Sequence, residues 1–343
     1  MHTTPLAASG QPVRLSILDL APITAGSDAG QALRNSRALA QLADGLGYTR
    51  YWLAEHHNMP GVASAATAVV IGHLAAATSR IRVGAGGIML PNHAPLMVAE
   101  QFGTLEALFP GRIDLGLGRA PGTDQRTARA LRRNLASSED GFAHDVAELQ
   151  AWFAPVQPGQ TVQAVPGAGL NVPLWILGSS LYGAQLAAEF GLPYAFASHF
   201  APRHLAQALE LYRARFKPSA VLNAPYVMVA ANAVVADTTE LAQHHAASQR
   251  LRFAGLARGE LGPLPPPQQF VESDWSPAEL AFADESLRCS AIGSPEQARD
   301  QLIALQRETG ADEIIVAGQI YDHQARLHSC LLLAQAWGLA EKT

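Results

Sequence analysis

The chain carries an acid and two histidines in consecutive positions, within the stretch WLAEHHNMPG at residues 52–61. Glu55, His56 and His57 follow an apolar run, so they stand where a buried strand would end. Histidine titrates near neutral pH and can serve as an acid, a base or a metal ligand. The local sequence therefore leaves three interpretations open: an acid/base pair, a metal site, or the polar start of a loop.

A metal ion bound by both histidines is the least favoured of these interpretations. Adjacent residues of a strand point to opposite faces of the sheet, so His56 and His57 cannot easily share one ion. The motif HExxH is absent from the sequence. His93 and His199 would complete a site only if the fold happened to bring them there. No metal ligand is predicted.

Glycines interrupt two of the neighbouring apolar runs. These are Gly84, Gly86, Gly87, Gly116 and Gly118. Glycine weakens a strand interior and often marks a place where a backbone or a ligand approaches closely. The favoured interpretation is a flat ligand lying against bare backbone, and the alternative is small residues packing the interior of the fold.

A possible phosphate site follows a later apolar run. Ser179 and Ser180 stand directly before a helical pattern that includes Tyr182. Helix N-termini present free N–H groups and partial positive charge, which bind phosphate. Arg119 would project from a neighbouring strand end and add a bidentate contact. The alternative is that Ser180 only caps the helix, although a cap and a phosphate contact can coexist.

Short apolar runs alternate with helical patterns along the chain, which is typical of an α/β fold. The eight predicted strands are 14–20, 50–56, 81–90, 112–118, 173–179, 194–200, 226–236 and 313–320. The predicted helices are 31–46, 64–78, 95–108, 139–153, 181–190, 202–216, 295–309 and 321–338. This pattern predicts a (β/α)8 TIM barrel, whose active site lies at the C-terminal ends of the strands. A doubly wound sheet is less favoured, because no GxGxxG follows the first strand.

Two segments exceed ordinary loop length, at 119–172 after the fourth predicted strand and at 237–290 after the seventh. The second is predicted to form a lid. Its large aromatic residues fit either an apolar substrate or ordinary packing, and they are Phe253, Phe270, Trp275 and Phe282. No linker or repeat divides the chain, so 14–343 is predicted to be one domain after a flexible lead at 1–13.

The composition argues against several classes of protein. The net charge is −5 and no run of lysine or arginine occurs, which argues against a nucleic-acid or anionic-membrane surface. Cys289 and Cys330 form no CxxC pair, which favours a reduced, cytoplasmic setting. No stretch approaches the ~20 apolar residues of a spanning helix, and the N-terminal residues lack the pattern of a signal peptide.

Several blocks together resemble the luciferase-like monooxygenase family, the bacterial-luciferase type of flavin-dependent oxidoreductase. They are YWLAEHHNMPG, VGAGGIMLPNHAPLMVAEQFGTLEALFPGRIDLGLGRAPG, LGSSLYGAQLAAEFGLPYAFASHF and the tail GSPEQARDQLIALQRETGADEIIV. The resemblance covers about 14–338 and is closest to an uncharacterised subgroup. It implies a barrel that uses reduced FMN and O₂, through a C4a-hydroperoxyflavin, to oxidise a small organic substrate, for which the aromatic segment suggests apolar character.

The resemblance also implies roles for individual residues. The family's catalytic histidine matches His56, with His57 as its neighbour. Its non-proline cis peptide, which lies under the flavin ring, matches Gly86-Gly87. The family's reactive-flavin cysteine matches Gly118.

For the flavin phosphate, the resemblance points to the possible phosphate site described above. The family's arginine matches Arg119, and its phosphate serine matches Ser180, with Ser179 beside it. Tyr182 is included with this cofactor-binding group.

The same resemblance implies partners and leaves other functions open. Reduced FMN would come from a separate NAD(P)H:flavin reductase, and a homodimer would form through the alanine-rich helices at 64–78 and 95–108. Some relatives in the wider superfamily use a deazaflavin for hydride transfer without oxygen. A non-catalytic flavin-binding barrel is a further alternative, and a metal-dependent barrel hydrolase ranks third.

Overall fold

Parallel strands form a closed barrel in the part of the chain that the computed structural model describes, residues 12–120, 124–131 and 139–339. Most of the predicted lead at 1–13 lies outside these residues. The strands are β1 (Arg14–Asp19), β2 (Arg50–Leu53), β3 (Arg82–Met89), β4 (Ile113–Gly118), β5 (Leu174–Gly178), β6 (Tyr194–Phe196), β7 (Val227–Val235), β8 (Ser290–Gly293) and β9 (Glu313–Ala317). Strands β1 to β7 and β9 close the barrel, because β6 pairs with β7, β7 with β9 and β9 with β1.

Helices follow the strands and cover the outside of the barrel. They are α1 (Ala29–Leu46), α2 (Thr67–Ala76), α3 (Pro95–Leu108), α4 (Gln125–Leu131), α5 (Glu139–Phe153), α6 (Leu181–Phe190), α7 (Leu205–Arg215), α8 (Thr239–Ala257), α9 (Pro277–Ser286), α10 (Pro295–Thr309) and α11 (His323–Trp337). The predicted (β/α)8 TIM barrel is confirmed. Within the described residues, none of these helices has the length and apolar character needed to cross a bilayer.

Local sequence signals explain where the first helix begins and ends. The Asp28 carboxylate accepts a hydrogen bond from the Gln31 N–H at 2.7 Å, which caps the start of α1. Gly47 ends the helix with a φ of 86°, a left-handed conformation that glycine adopts without steric cost. Its buried face, which includes Leu39 and Ala43, packs into the main apolar core.

Three predicted strand boundaries need correction. β2 ends at Leu53, not at residue 56, because the Ala54 carbonyl accepts a hydrogen bond from the Ser64 hydroxyl at 2.6 Å instead of continuing the ladder. β6 ends at Phe196, because the chain turns there and the Ser198 N–H donates to the Phe196 carbonyl. The last barrel strand, β9, ends at Ala317 and not at 320.

The long segment at 237–290 holds regular structure that the sequence did not predict. It contains α8 and α9, and it ends where β8 begins. β8 pairs with the second half of β7, from Asn232 to Val235, while β9 pairs with its first half. β8 is therefore a ninth strand, which extends the sheet but is not part of the closed ring. The other insertion contains α4 and α5, and its residues 121–123 and 132–138 lie outside the described part.

Charged side chains fill the N-terminal end of the barrel. The Arg50 guanidinium donates to the carboxylates of Asp114 at 2.7 Å and Glu313 at 3.0 Å, and Arg82 donates to Asp114 at 2.7 Å. Arg50 also lies 4.7 Å from the centre of the Trp175 ring. Burial alone would lower the pKa of Arg50, but the two carboxylates outweigh it and raise that pKa. This ion-pair layer, defined by Arg50, Arg82, Asp114 and Glu313, closes the end of the barrel opposite the candidate site.

Candidate active site

A cavity of about 690 Å³ opens at the C-terminal ends of the barrel strands. All nine predicted site residues line it, and they are His56, His57, Gly86, Gly87, Gly118, Arg119, Ser179, Ser180 and Tyr182. A larger cavity of about 1050 Å³ lies outside the barrel, against α7 and α10, and none of these nine residues lines it. The structure therefore brings the predicted residues together at one place, while their roles stay predictions.

Bare backbone forms one part of the cavity wall. The peptide between Gly86 and Gly87 is cis, as the resemblance implies. A Cβ atom added to Gly86 would lie only 2.9 Å from the Trp52 ring and 3.0 Å from the Leu18 side chain. The Trp52 indole is held in turn by a 3.1 Å hydrogen bond to Asp114. The packing beneath this position leaves no room for a side chain, so a ligand in the cavity meets backbone.

The other glycines of β3 and β4 serve a different purpose. A Cβ atom at Gly84 would lie 2.5 Å from the Asp114 carbonyl oxygen, and one at Gly116 would lie 2.4 Å from the Ala85 carbonyl oxygen. These two glycines allow the strands to approach each other where their register shifts. Gly118 instead lines the cavity. The packing interpretation therefore applies to Gly84 and Gly116, while a ligand against Gly86, Gly87 and Gly118 stays a prediction.

The N-terminus of α6 forms another part of the wall. Ser180 is its N-cap residue, with extended backbone, but its side chain makes no capping hydrogen bond. The hydroxyl is therefore not used in the way that the simple capping alternative requires. The Arg119 guanidinium lies 4.3 Å from the centre of the Tyr182 ring, which holds it beside this helix. A helix N-terminus, two serines and an arginine together suit an anionic group.

Glu55 joins two histidines beneath the cavity. One carboxylate oxygen accepts hydrogen bonds from Nε2 of His57 and Nε2 of His93, each at 2.8 Å, and the other accepts from the Met89 N–H at 3.3 Å. Burial alone would raise the pKa of Glu55, but the hydrogen bonds and charges of the two histidines lower it. An ionised Glu55 fixes a proton on Nε2 of each imidazole. His57 is thereby held in one orientation.

Glu55, His57 and His93 are also relevant to the prediction that the chain has no metal ligands. Their ligand atoms lie within 4.8 Å of one another, which is close enough for a cation. The sequence-based prediction considered His93 and His199 as ligands only by an accident of folding, and it missed that His57 and His93 meet at Glu55. Both imidazoles approach one carboxylate oxygen at hydrogen-bond length, and the absence of a metal stays a prediction.

The two adjacent histidines have different surroundings. His56 lines the cavity near His199, which also lines it from the end of β6. Burial, and to a lesser degree the charge of His56, lowers the pKa of His199 to about 3. Nδ1 of His199 is buried and makes no hydrogen bond to the described residues. The cavity wall therefore includes an imidazole that is neutral at neutral pH.

The segment predicted to be a lid supplies the remaining wall. Phe253 and Leu256 of α8 and Phe282 of α9 line the cavity. Phe270 and Trp275 do not line it, and each instead lies under an arginine side chain. Two of the four aromatic residues proposed for an apolar substrate thus line the cavity, and the other two pack within the segment.

Comparison with known proteins identifies the family. The model of the luciferase-like monooxygenases matches residues 13–313. The chain belongs to this family. A luciferase-like monooxygenase of Escherichia coli strain K12 is 57% identical over 317 residues, covering 92% of this chain and 95% of the relative. The solved structure of apo-MsnO8 is 36% identical, with a TM-score of 0.86, and covers 96% of this chain and 100% of that one.

Two more distant solved structures with a similar fold contain different cofactors. The oxygenating component of 3,6-diketocamphane monooxygenase from Pseudomonas putida, in complex with FMN, is 16% identical with a TM-score of 0.68, covering 94% of this chain and 97% of that one. An F420-dependent secondary alcohol dehydrogenase, in complex with an F420–acetone adduct, is 15% identical with a TM-score of 0.67, covering 95% and 99%. At these identities the likeness shows the fold alone.

Some cavity residues of this member of the luciferase-like monooxygenase family were not found from the sequence. His199 was considered only as a metal ligand, and His93 was not connected with Glu55. Arg252 of α8 lines the cavity and was missed, because the helix itself was not predicted. The available signal was a charged residue next to an apolar run, in the stretch RFAGL at 252–256.

Proposed function

We propose that the chain is a flavin-dependent monooxygenase that uses reduced FMN and O₂ to oxidise a small, largely apolar organic substrate. The observation that carries the proposal is the construction of the cavity. Its wall is bare backbone at Gly86-Gly87, which suits a flat ring, and its helix N-terminus at Ser180 suits a phosphate. The luciferase-like monooxygenase of Escherichia coli, at 57% identity, supports the assignment to a monooxygenase.

The residues fit FMN in a specific way. The isoalloxazine ring would pack on the backbone of Gly86 and Gly87, which lines the cavity. Ser179, Ser180 and the N–H groups of α6 would hold the phosphate together with Arg119. When bound and reduced, FMN supplies the two electrons that activate O₂, so that one oxygen atom enters the substrate and the other leaves as water.

The chain's own residues position the reactants and handle protons. His56 acts as the acid/base group, because it lines the cavity with an imidazole suited to proton transfer near neutral pH. Glu55 holds His57 through a proton on Nε2, and this fixes the loop that carries both histidines. The neutral imidazole of His199 forms another part of the same cavity wall.

The segment formed by α8 and α9 excludes water. Phe253, Leu256 and Phe282 give the cavity an apolar wall. By keeping water out, this wall limits the release of hydrogen peroxide without oxygenation of the substrate. A separate NAD(P)H:flavin reductase supplies reduced FMN. The two cysteines are free thiols, which supports a cytoplasmic location.

The experiment that tests the proposal compares cofactors. We expect that reduced FMN, supplied by a reductase with NADH, supports incorporation of ¹⁸O from ¹⁸O₂ into a member of a broad panel of small organic compounds. Mass spectrometry of the product measures this. Anaerobic hydride transfer from a reduced deazaflavin would favour the alternative function instead. Binding of FMN with no product across the panel would favour a non-catalytic flavin-binding barrel.

A matched variant controls the cofactor assignment. Ser180→Ala removes one hydroxyl near a bound phosphate, and hydrogen bonds to charged groups contribute ~1.5–3 kcal/mol, so the Kd for FMN should rise by roughly tenfold or more. Riboflavin lacks the phosphate, and its Kd should not change. Equal weakening of both flavins would contradict the assignment of Ser180 to the phosphate.

We propose that the protein is a homodimer that pairs through α2 and α3. Large apolar side chains on these helices are exposed: Val69 by 74%, Met97 by 56% and Leu108 by 64%. Light scattering should therefore give twice the chain mass of 36.3 kDa. The double variant Val69→Lys, Met97→Lys places charges on this surface and should yield monomers. A monomeric wild-type protein would contradict the proposal.

A further inference from the structure

Arg252 brings a cation into the apolar wall of the cavity. It lies on α8 directly before Phe253, and Leu256 follows one turn later on the same side of the helix. Only 8% of Arg252 is exposed. The guanidinium is therefore buried beside the space in which a substrate would bind.

The contacts of Arg252 differ from those of the other buried arginines. Arg50 pairs with two carboxylates and Arg326 pairs with the carboxylate of Asp19 at 2.6 Å. Arg252 has no carboxylate partner among the described residues. Its Nη1 donates to the Gly262 carbonyl at 3.1 Å, and its Nη2 contacts the Met59 sulfur at 3.4 Å.

Within the described residues, the charge of Arg252 has no counter-ion and some of its N–H donors have no acceptor. A guanidinium carries five N–H donors in a planar fork that matches a carboxylate. Two of these donors make contacts with the described residues, and one of the two contacts is to a sulfur, which is a weak acceptor. Burial lowers the pKa of Arg252, with no acid nearby to raise it again. An anionic ligand in the cavity would offset this cost.

We propose that Arg252 binds a carboxylate of the substrate, so that the substrate class is an apolar carboxylic acid in its ionised form. The aromatic and aliphatic wall of Phe253, Leu256 and Phe282 would bind the apolar part of the same molecule. The inference deepens the proposed function and rests on it for the identification of the cavity as the substrate site.

The location of Arg252 separates it from the proposed phosphate site. Arg119 follows β4 and lies against Tyr182 at the start of α6. Arg252 instead contacts Met59, which follows β2, and Gly262, which follows α8. In the sheet, β3 lies between β2 and β4. The cavity therefore has one cation for the cofactor phosphate and a second for the substrate.

Direct binding to the cofactor-free protein tests the proposal without requiring turnover. The probes are hexanoate, octanoate and phenylacetate, each compared by calorimetry with its primary amide, which has a similar shape and no charge. We expect at least one carboxylate to bind the wild-type protein roughly tenfold or more tightly than its amide, because charge-assisted bidentate pairs are strong. Arg252→Met should remove this preference, and Arg252→Lys should keep part of it.

Arg250→Met is the matched control. Arg250 lies on the same helix but pairs with Asp284 and does not line the cavity, so the carboxylate preference should persist in this variant. The proposal is overturned if no carboxylate binds better than its amide, or if the preference survives in Arg252→Met. It is also overturned if Arg252→Met weakens FMN but not riboflavin, because the cation would then belong to the cofactor. None of these results depends on whether oxygenation is observed.

Discussion

Replacing His56 with alanine is expected to lower the rate of substrate oxygenation by roughly 10²–10⁴-fold, the usual contribution of a positioned acid/base group. His56 lines the cavity near His199 and stands at the end of β2, among the strand ends at which barrel active sites form. His199 stays neutral at neutral pH, and His57 is tied to Glu55, so neither replaces the missing imidazole.

The measurement separates oxygenation from simple oxidation of the cofactor. The variant should still bind FMN, and reduced FMN should still react with O₂, but its electrons should appear as hydrogen peroxide instead of product. His73→Ala, at an exposed position on α2, should keep the wild-type ratio of product to peroxide. Oxygenation by His56→Ala at the wild-type rate would exclude His56 as the acid/base residue.

Replacing Arg50 with methionine should destabilise the protein by about 3–5 kcal/mol, the usual cost of removing one partner from a buried ion pair. Methionine retains much of the side-chain volume but leaves Asp114 and Glu313 without their shared cation. Arg82 still contacts Asp114, and Tyr226 donates to Glu313 at 2.9 Å, which limits the loss. Unfolding in guanidinium chloride measures the change through its midpoint.

Arg34→Met is the control for this stability experiment. Arg34 is exposed on α1 and, among the residues that the structure describes, bonds only to Gln31 of the same helix. Its replacement should therefore change the free energy of unfolding by no more than about 0.5 kcal/mol. A loss below about 1 kcal/mol for Arg50→Met would mean that the ion-pair layer contributes little more than an exposed pair.

The alternation of apolar runs with helical patterns was sufficient to predict the barrel. Each barrel strand is covered on both faces, so it appears in the sequence as a continuous apolar run. The strand ends were less predictable, because they depend on distant partners. β2 ends where the Ser64 hydroxyl meets the Ala54 carbonyl, and nothing in the local sequence identifies that contact.

The segment from 237 to 290 shows why part of the structure could not be predicted. α8 carries two adjacent histidines and several polar residues, so its apolar pattern is weak. The strand β8 consists of Ser290 to Gly293, which is too short to be distinguished from a loop before α10. Its place is set by pairing with β7, a contact distant in sequence.

The candidate site was also predictable from the sequence only in part. The resemblance indicated His56, Gly86-Gly87 and Ser180, because these residues lie in recognisable blocks, and the structure places them around one cavity. Arg252 lies outside these blocks, and although Glu55 and His93 lie within them, the blocks do not show that the two side chains meet. The burial of Arg252 and the contact between Glu55 and His93 depend on the fold.

Trp52 connects two parts of the molecule that would otherwise be independent. Its indole N–H is bonded to Asp114 of the ion-pair layer, while its ring fills the space beneath Gly86. Redesign of the cavity wall at position 86 is therefore constrained from the opposite end of the barrel. A larger residue there requires a smaller one at 52, and a smaller residue at 52 removes a hydrogen bond from Asp114. A redesign that changes how the cavity binds its ligand therefore also changes the stability of the ion-pair layer.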